Sequence, residues 1–218
     1  MSLIQRKPRP LQRDAESFRD DRLFIVACDD TFAPKQYFGF FKLVRVQVHV
    51  VPTEDGSSAA NHVLDRLLQF QCEEDDERWL VLDTDHFIRG THIQNFLAVL
   101  QEAKQRGIQV ALSRPSFDLW LLLHHVDETT VAGYANAKEV GTALRTVLGK
   151  YDKLKLDGAA FPLESVVAAC RRAESLDAAV EGGDIPQGNT SRVYKLWRAI
   201  VAKAHPSQLP EELRVLRS

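Results

Sequence analysis

RWLVLDTD, residues 78–85, decides the fold. Its apolar run, Trp79 to Leu82, has the make-up of a strand covered on both faces, and it stops at two aspartates spaced two apart. Alternate residues of an extended chain point the same way, with roughly 6.5–7 Å between their Cα atoms. Asp83 and Asp85 therefore share a direction at the strand's end. Working outward, LFIVAC (23–28) is a second buried strand, ending in Asp29 and Asp30. An aromatic, helix-like stretch follows, KQYFGFFKLV (35–44), and then VRVQVHVV (44–51) alternates with the period of a strand. AANHVLDRLLQF (59–70) sets Val63, Leu67, Leu68 and Phe70 near helical spacing. Beyond the central strand, Thr91 caps a helix in which Ile93, Phe96, Leu97 and Leu100 recur, and Gly107 closes it before a fourth strand, IQVALS (108–113).

Strand and helix in alternation predict an α/β fold with a parallel four-stranded central sheet flanked by helices. After residue 125 only helices are predicted, over 136–149, 162–181 and 190–204, with a short one from Pro210. The loop EGGDIPQGNT (181–190) is the candidate hinge or functional loop. The organisation read from the sequence is a flexible basic tail (1–20), an α/β core (21–125) and a helical extension packed on it (126–218).

The 218 residues are 44% hydrophobic and 27% charged, with a net charge of -2, which excludes a uniformly basic nucleic-acid coat but leaves room for a local basic groove. Arg6, Lys7, Arg9 and Arg13 precede any acid and are candidates for phosphate contacts. Cys28, Cys72 and Cys170 lie far apart without a CxxC pair, as in a reduced intracellular protein. No apolar segment approaches the ~20 residues of a membrane helix, so a cytoplasmic protein is expected.

SRPSFDLWLLLHHVDE (113–128) raises a separate question, because Asp118 sits in an otherwise apolar run. A charge there is costly unless something pairs with it. Pro115 suits a first helical position, which makes Asp118 a first-turn carboxylate facing the helix dipole. Alternatively it faces a cation at the sheet edge. Ligands of open parallel sheets bind outside the carboxyl ends of the strands. Asp29, Asp83, Asp85 and Asp118 all fall there, and like charges so gathered need protons or a cation. Oxygen ligands of this kind suit Mg²⁺ or Mn²⁺. His86, His124 and His125 lack a zinc spacing; His86 is a candidate proton shuttle.

FIVACDDTFAPKQYF, WLVLDTD, SRPSFDLWLLLHH, YDKLKLDG and GNTSRVYKL stand in the order of motifs of the RloB-like family, which the chain resembles from about residue 22 to 200. The resemblance implies a Toprim-like domain, whose nucleases and topoisomerases hold Mg²⁺ with one Glu and a DxD pair for phosphodiester chemistry. It also implies a role in bacterial or archaeal phage defence, often beside a partner ATPase. Carried over, Asp29 takes the place of the Toprim Glu, Asp83 and Asp85 are the DxD pair, Asp118 replaces the family's helix Glu, Lys153 matches its lysine, and Ser191 falls where the family has Thr. Asp30 stands where the family has Gly, Thr31 and Ala33 where it has Glu and Thr, and Arg114 where it has Asn.

The leading expectation is a metal-dependent, nuclease-like enzyme acting on DNA or RNA, with Asp29, Asp83, Asp85 and Asp118 at the metal and Lys153 or Arg192 on the phosphate. A second is a non-catalytic subunit binding nucleic acid or a partner ATPase. A third is a receiver-like phosphoacceptor domain with Ser113 as its strand-four hydroxyl; the lack of a fifth strand ending in Lys-Pro speaks against it.

Overall fold

The structure, a computed structural model, describes residues 22–30, 32–53, 57–85, 87, 92–180 and 183–217. The basic tail, Thr31, His86 and the helix cap Thr91 lie outside the described residues. Strands β1 (Arg22–Cys28), β2 (Val46–Val50), β3 (Glu77–Asp83), β4 (Gln109–Arg114) and β5 (Thr190–Ser191) form one sheet in the order β2-β1-β3-β4-β5. Helices α1 (Phe32–Gly39), α2 (Ala60–Gln69), α3 (His92–Gln105), α4 (Phe117–Leu122), α5 (Glu128–Val131), α6 (Ala137–Leu148), α7 (Leu163–Ala179) and α8 (Val193–Lys203) cover it, and a 3₁₀ segment follows at Glu211–Arg217.

The central strands β1 and β3 carry continuous apolar runs because both of their faces are covered. Leu23, Ile25, Ala27, Leu80 and Leu82 face α2 and α3 in one core. Phe24, Val26, Cys28, Trp79 and Val81 belong to the other core, together with residues of α1, α4, α6, α7 and α8. The period-two split makes the pleat visible in the burial itself. The predicted C-terminal helices thus supply most of one face's cover.

A purely parallel four-stranded sheet is not what forms. A fifth strand pairs antiparallel with β4, so the sheet is mixed. Two residues carry no periodicity to read. Tertiary contacts make this strand: Ser191 Oγ lies 2.9 Å from Ser113 Oγ, and the Arg192 N–H donates to Leu112 O. Pro115 is not the first helical position either; Ser116 is the N-cap of α4, after a cis Arg114–Pro115 bond.

The described part of the 181–190 loop is held rather than free. Arg114 Nη1 donates to Pro186 O, Arg192 Nη1 donates to the carbonyls of Gly183 and Asp184, and Asn189 Nδ2 donates to those of Val131 and Tyr134.

Candidate active site at the carboxyl edge of the sheet

The order β2-β1-β3-β4 places successive crossovers on opposite sides of β1, leaving a crevice between the carboxyl ends of β1 and β3. Parallel pairing sets Cys28 beside Val81 and Asp83 beside Ser113, so the acids after β1 and in β3 finish together. The Asp83 N–H donates to Asp29 Oδ2 at 3.0 Å, and Asp29 Oδ1 accepts from the Asp30 N–H. Asp83 Oδ1 accepts the Phe117 N–H at 2.7 Å, at the start of α4. Asp29 and Asp83 therefore meet through backbone amides, which fix their carboxylates without neutralising them.

Asp118 is the first-turn acid of α4, only 5% exposed, and the cation beside it is the Lys153 ammonium. The Tyr151 hydroxyl donates to Asp118 Oδ1 at 2.5 Å, and Lys153 Nζ stands 3.6 Å from the same oxygen. Lys153 reaches Asp30 Oδ2 at 3.2 Å as well, while Asp30 Oδ1 accepts the Phe32 N–H of α1. Gln36 of α1 ties the lysine's segment down, donating to Lys153 O and accepting from the Leu156 N–H.

Titration of these groups follows from burial first and from neighbouring charge second. Burial raises Asp29 from 3.8 to about 6 against the pull of the backbone N–H groups of Asp83 and Asp30. Asp83 is raised by burial and then by the charges of Asp29 and Asp85. Burial also raises Asp118, opposed by Lys153 and Tyr151. Burial pulls Lys153 down, but Asp118 and Asp30 outweigh it and hold the ammonium above its ordinary value. One lysine does not balance the acids of this edge.

Arg192, considered for the phosphate, is instead engaged elsewhere: its Nε donates to Asp177 at 2.9 Å and its side chain is 11% exposed. Ser113, the strand-four hydroxyl of the receiver-like reading, is fully buried with its Oγ against that of Ser191. His124 belongs to a buried relay. Trp197 Nε1 can only donate, to Tyr37 Oη at 3.1 Å; Tyr37 then donates to His124 Nε2 at 3.0 Å, and His124 Nδ1 donates to Ser165 Oγ at 2.7 Å. Burial holds His124 well below its ordinary value, so it is neutral.

Sequence reasoning missed three contributors. Asp30, read as an acid at the end of the first strand and as a departure from the family's glycine but given no role, holds Lys153. Tyr151 was noted as a neighbour and is the hydrogen-bond donor to Asp118; its place two residues before Lys153 was the available signal. Thr84, between the paired aspartates, is fully buried, and nothing in its own identity marks it.

An all-oxygen set suits a hard divalent cation rather than zinc. Asp83 Oδ2 has no hydrogen-bond partner among the described residues, and Mg²⁺ commonly takes only one or two carboxylates, with water and substrate phosphate completing its shell. The donors fit such an ion in that mode. Among the described residues, no three His, Cys, Asp or Glu side chains are already arranged to hold one. No described helix is long and apolar enough to cross a membrane.

No curated protein and no solved structure matches the chain. The family model described as RloB-like protein matches residues 24–200, from the buried β1 through the acidic edge to α8. The chain belongs to the RloB-like family.

Proposed function

We propose that the carboxyl edge of the sheet binds a divalent cation, Mg²⁺ or Mn²⁺, and handles the phosphodiester of a nucleic acid, in the manner of a Toprim-like nuclease. The observation that carries this reading is the contact between Asp29 and the Asp83 backbone in the crevice between β1 and β3, with Asp118 and Lys153 closing the same edge. Asp83, with Asp29 and Asp85, would hold the ion; when bound, it would neutralise charge on the phosphate. Asp29, raised to about 6, is suited to exchange a proton near neutral pH. Lys153, oriented by Asp118 and Asp30, offers an ammonium to a phosphate oxygen. Lys150 and Lys155 line a cavity of about 790 Å³ beside Tyr151, but Asp152 and Asp157 line it too, so it offers a strand's backbone no excess of positive charge.

The test is a calorimetric Mn²⁺ titration of the wild type and Asp83→Asn, with cleavage of labelled single-stranded DNA and RNA in Mg²⁺ and in chelator. A hundredfold excess of ion over its dissociation constant stabilises by about 2.7 kcal/mol. An unchanged melting temperature in saturating Mn²⁺ removes the metal, and the catalytic reading with it. A second reading, a non-catalytic subunit for nucleic acid or a partner ATPase, draws on both Asp29 oxygens already accepting backbone N–H groups. It is favoured by salt-dependent binding without cleavage.

A further inference from the structure

A cavity of about 270 Å³ opens between the end of β3, the β4–α4 turn and the loop before β5, lined among others by Thr84, Asp85, Arg114, Tyr134, Gln187 and Asn189. Thr84 is the residue between the paired aspartates. Its N–H donates to the carbonyls of Ser113 and Pro115, and its side chain is fully buried, yet its hydroxyl has no hydrogen-bond partner among the described residues. A buried hydroxyl left so carries a desolvation cost that a ligand's hydrogen bond would offset. The half-buried Tyr134 phenol also has no partner among them. The walls are otherwise built: Arg114 is anchored on Pro186 O at 2.7 Å and Asn189 on Val131 O and Tyr134 O.

The lining combines one guanidinium, one carboxylate, two hydroxyls, amides and an aromatic ring. A bare phosphate calls for an excess of positive charge, and a lipid chain for apolar walls. A planar heterocycle with donors and acceptors along its edge matches the mixture, and the volume suits one such unit rather than a base pair. We propose that this cavity is a nucleobase subsite, receiving one unpaired base of the strand whose phosphate lies at the neighbouring Asp29–Asp83 edge, with the Thr84 hydroxyl hydrogen-bonded to the base. The choice of base over other heterocycles rests on the nucleic-acid reading above.

The test uses the full chain in chelator, so that no metal contributes, and titrates adenosine, guanosine, cytidine and uridine by NMR. At least one nucleoside is expected to shift the amides around Thr84 and Gly188. Thr84→Val, which keeps the shape and removes the hydroxyl, is expected to melt no lower than wild type and to bind about tenfold more weakly. Should Thr84→Val fail to fold, Tyr134→Phe takes its place, with a several-fold loss expected. Absence of binding by all four nucleosides at millimolar concentration, or equal binding by wild type and variant, overturns the subsite. Nucleoside binding with no Mn²⁺ binding keeps the subsite and sinks the metal reading; Mn²⁺ binding with no nucleoside binding does the reverse.

Discussion

Replacing Asp29 by Asn in the metal-free protein tests whether the acidic edge is held under charge repulsion and burial. In the wild type the carboxyl rises from 3.8 to about 6, which disfavours its ionised form by about 3 kcal/mol. The folded chain therefore binds more protons than the unfolded one between those values, and stability falls as pH rises through that window. Above it, the full penalty persists. Asparagine cannot ionise, so it escapes the penalty, but its amide offers one oxygen where the carboxylate offers two. One of the N–H groups of Asp30 and Asp83 then meets an NH₂ group, at a cost of about 1–3 kcal/mol. At pH 8 the two effects nearly cancel, and the variant is about as stable as wild type or slightly more so. At pH 4.5 the wild type has recovered about 2 kcal/mol that the variant cannot, so wild type becomes the more stable. Urea unfolding of both proteins in chelator at these two pH values measures the gap directly. His124, neutral in both proteins, loses stability in acid to the same extent and drops out of the difference. A gap that is equal at pH 4.5 and pH 8 refutes the crowding account.

Asp118→Asn removes a charge that Lys153 partly balances at 45% exposure, so unfolding free energy should change by less than about 1 kcal/mol, whereas calorimetric Mn²⁺ affinity should fall if the carboxylate belongs to the site. Equal affinity would reduce Asp118 to a first-turn acid with a hydrogen-bonded tyrosine. Lys153→Met should cost no more than about 1 kcal/mol in urea unfolding but shift Asp118 further upward, visible in carboxyl NMR titration. Tyr37→Phe leaves Trp197 Nε1 without its acceptor and His124 Nε2 without its donor, and should cost about 1–3 kcal/mol by urea unfolding, far from the acidic edge and without effect on Mn²⁺ affinity.

The parallel strands were legible because burial on both faces leaves a continuous apolar run, and each run had its turn signal and its helix. The fifth strand was not, since two residues held by Ser113 and Leu112 owe their conformation to tertiary contact. Asp29, Asp83, Asp85 and Asp118 were legible as edge residues because each stands at, or within a few residues of, the carboxyl end of a predicted strand. Lys153 was named only through the family's motif. Its arrival beside Asp118 depends on Gln36 gripping the backbone on both sides of Leu154, a contact across more than a hundred residues that no local pattern encodes.

How Asp29 and Asp83 are held limits what the edge can do. Asp29 is pinned by the Asp83 and Asp30 amides, and Asp83 by the Phe117 amide, so neither short side chain is free to swing as a unit toward an ion. Only Asp83 Oδ2, of the oxygens on these two side chains, has no hydrogen-bond partner among the described residues. A cation held there would need oxygens from elsewhere, and a substrate phosphate is the natural source. On the proposed reading ion and nucleic acid would bind together, each raising the other's affinity by the same factor, as thermodynamic linkage requires. Lys153 completes the exchange of charge. Lys153 stands between Asp118 and Asp30 and balances part of their charge; on the proposed reading, an ion held among the acids would take over those carboxylates and leave the ammonium for the phosphate. Backbone amides fix the acids, so on the proposed reading Lys153 rather than a carboxylate would be the group that responds to binding.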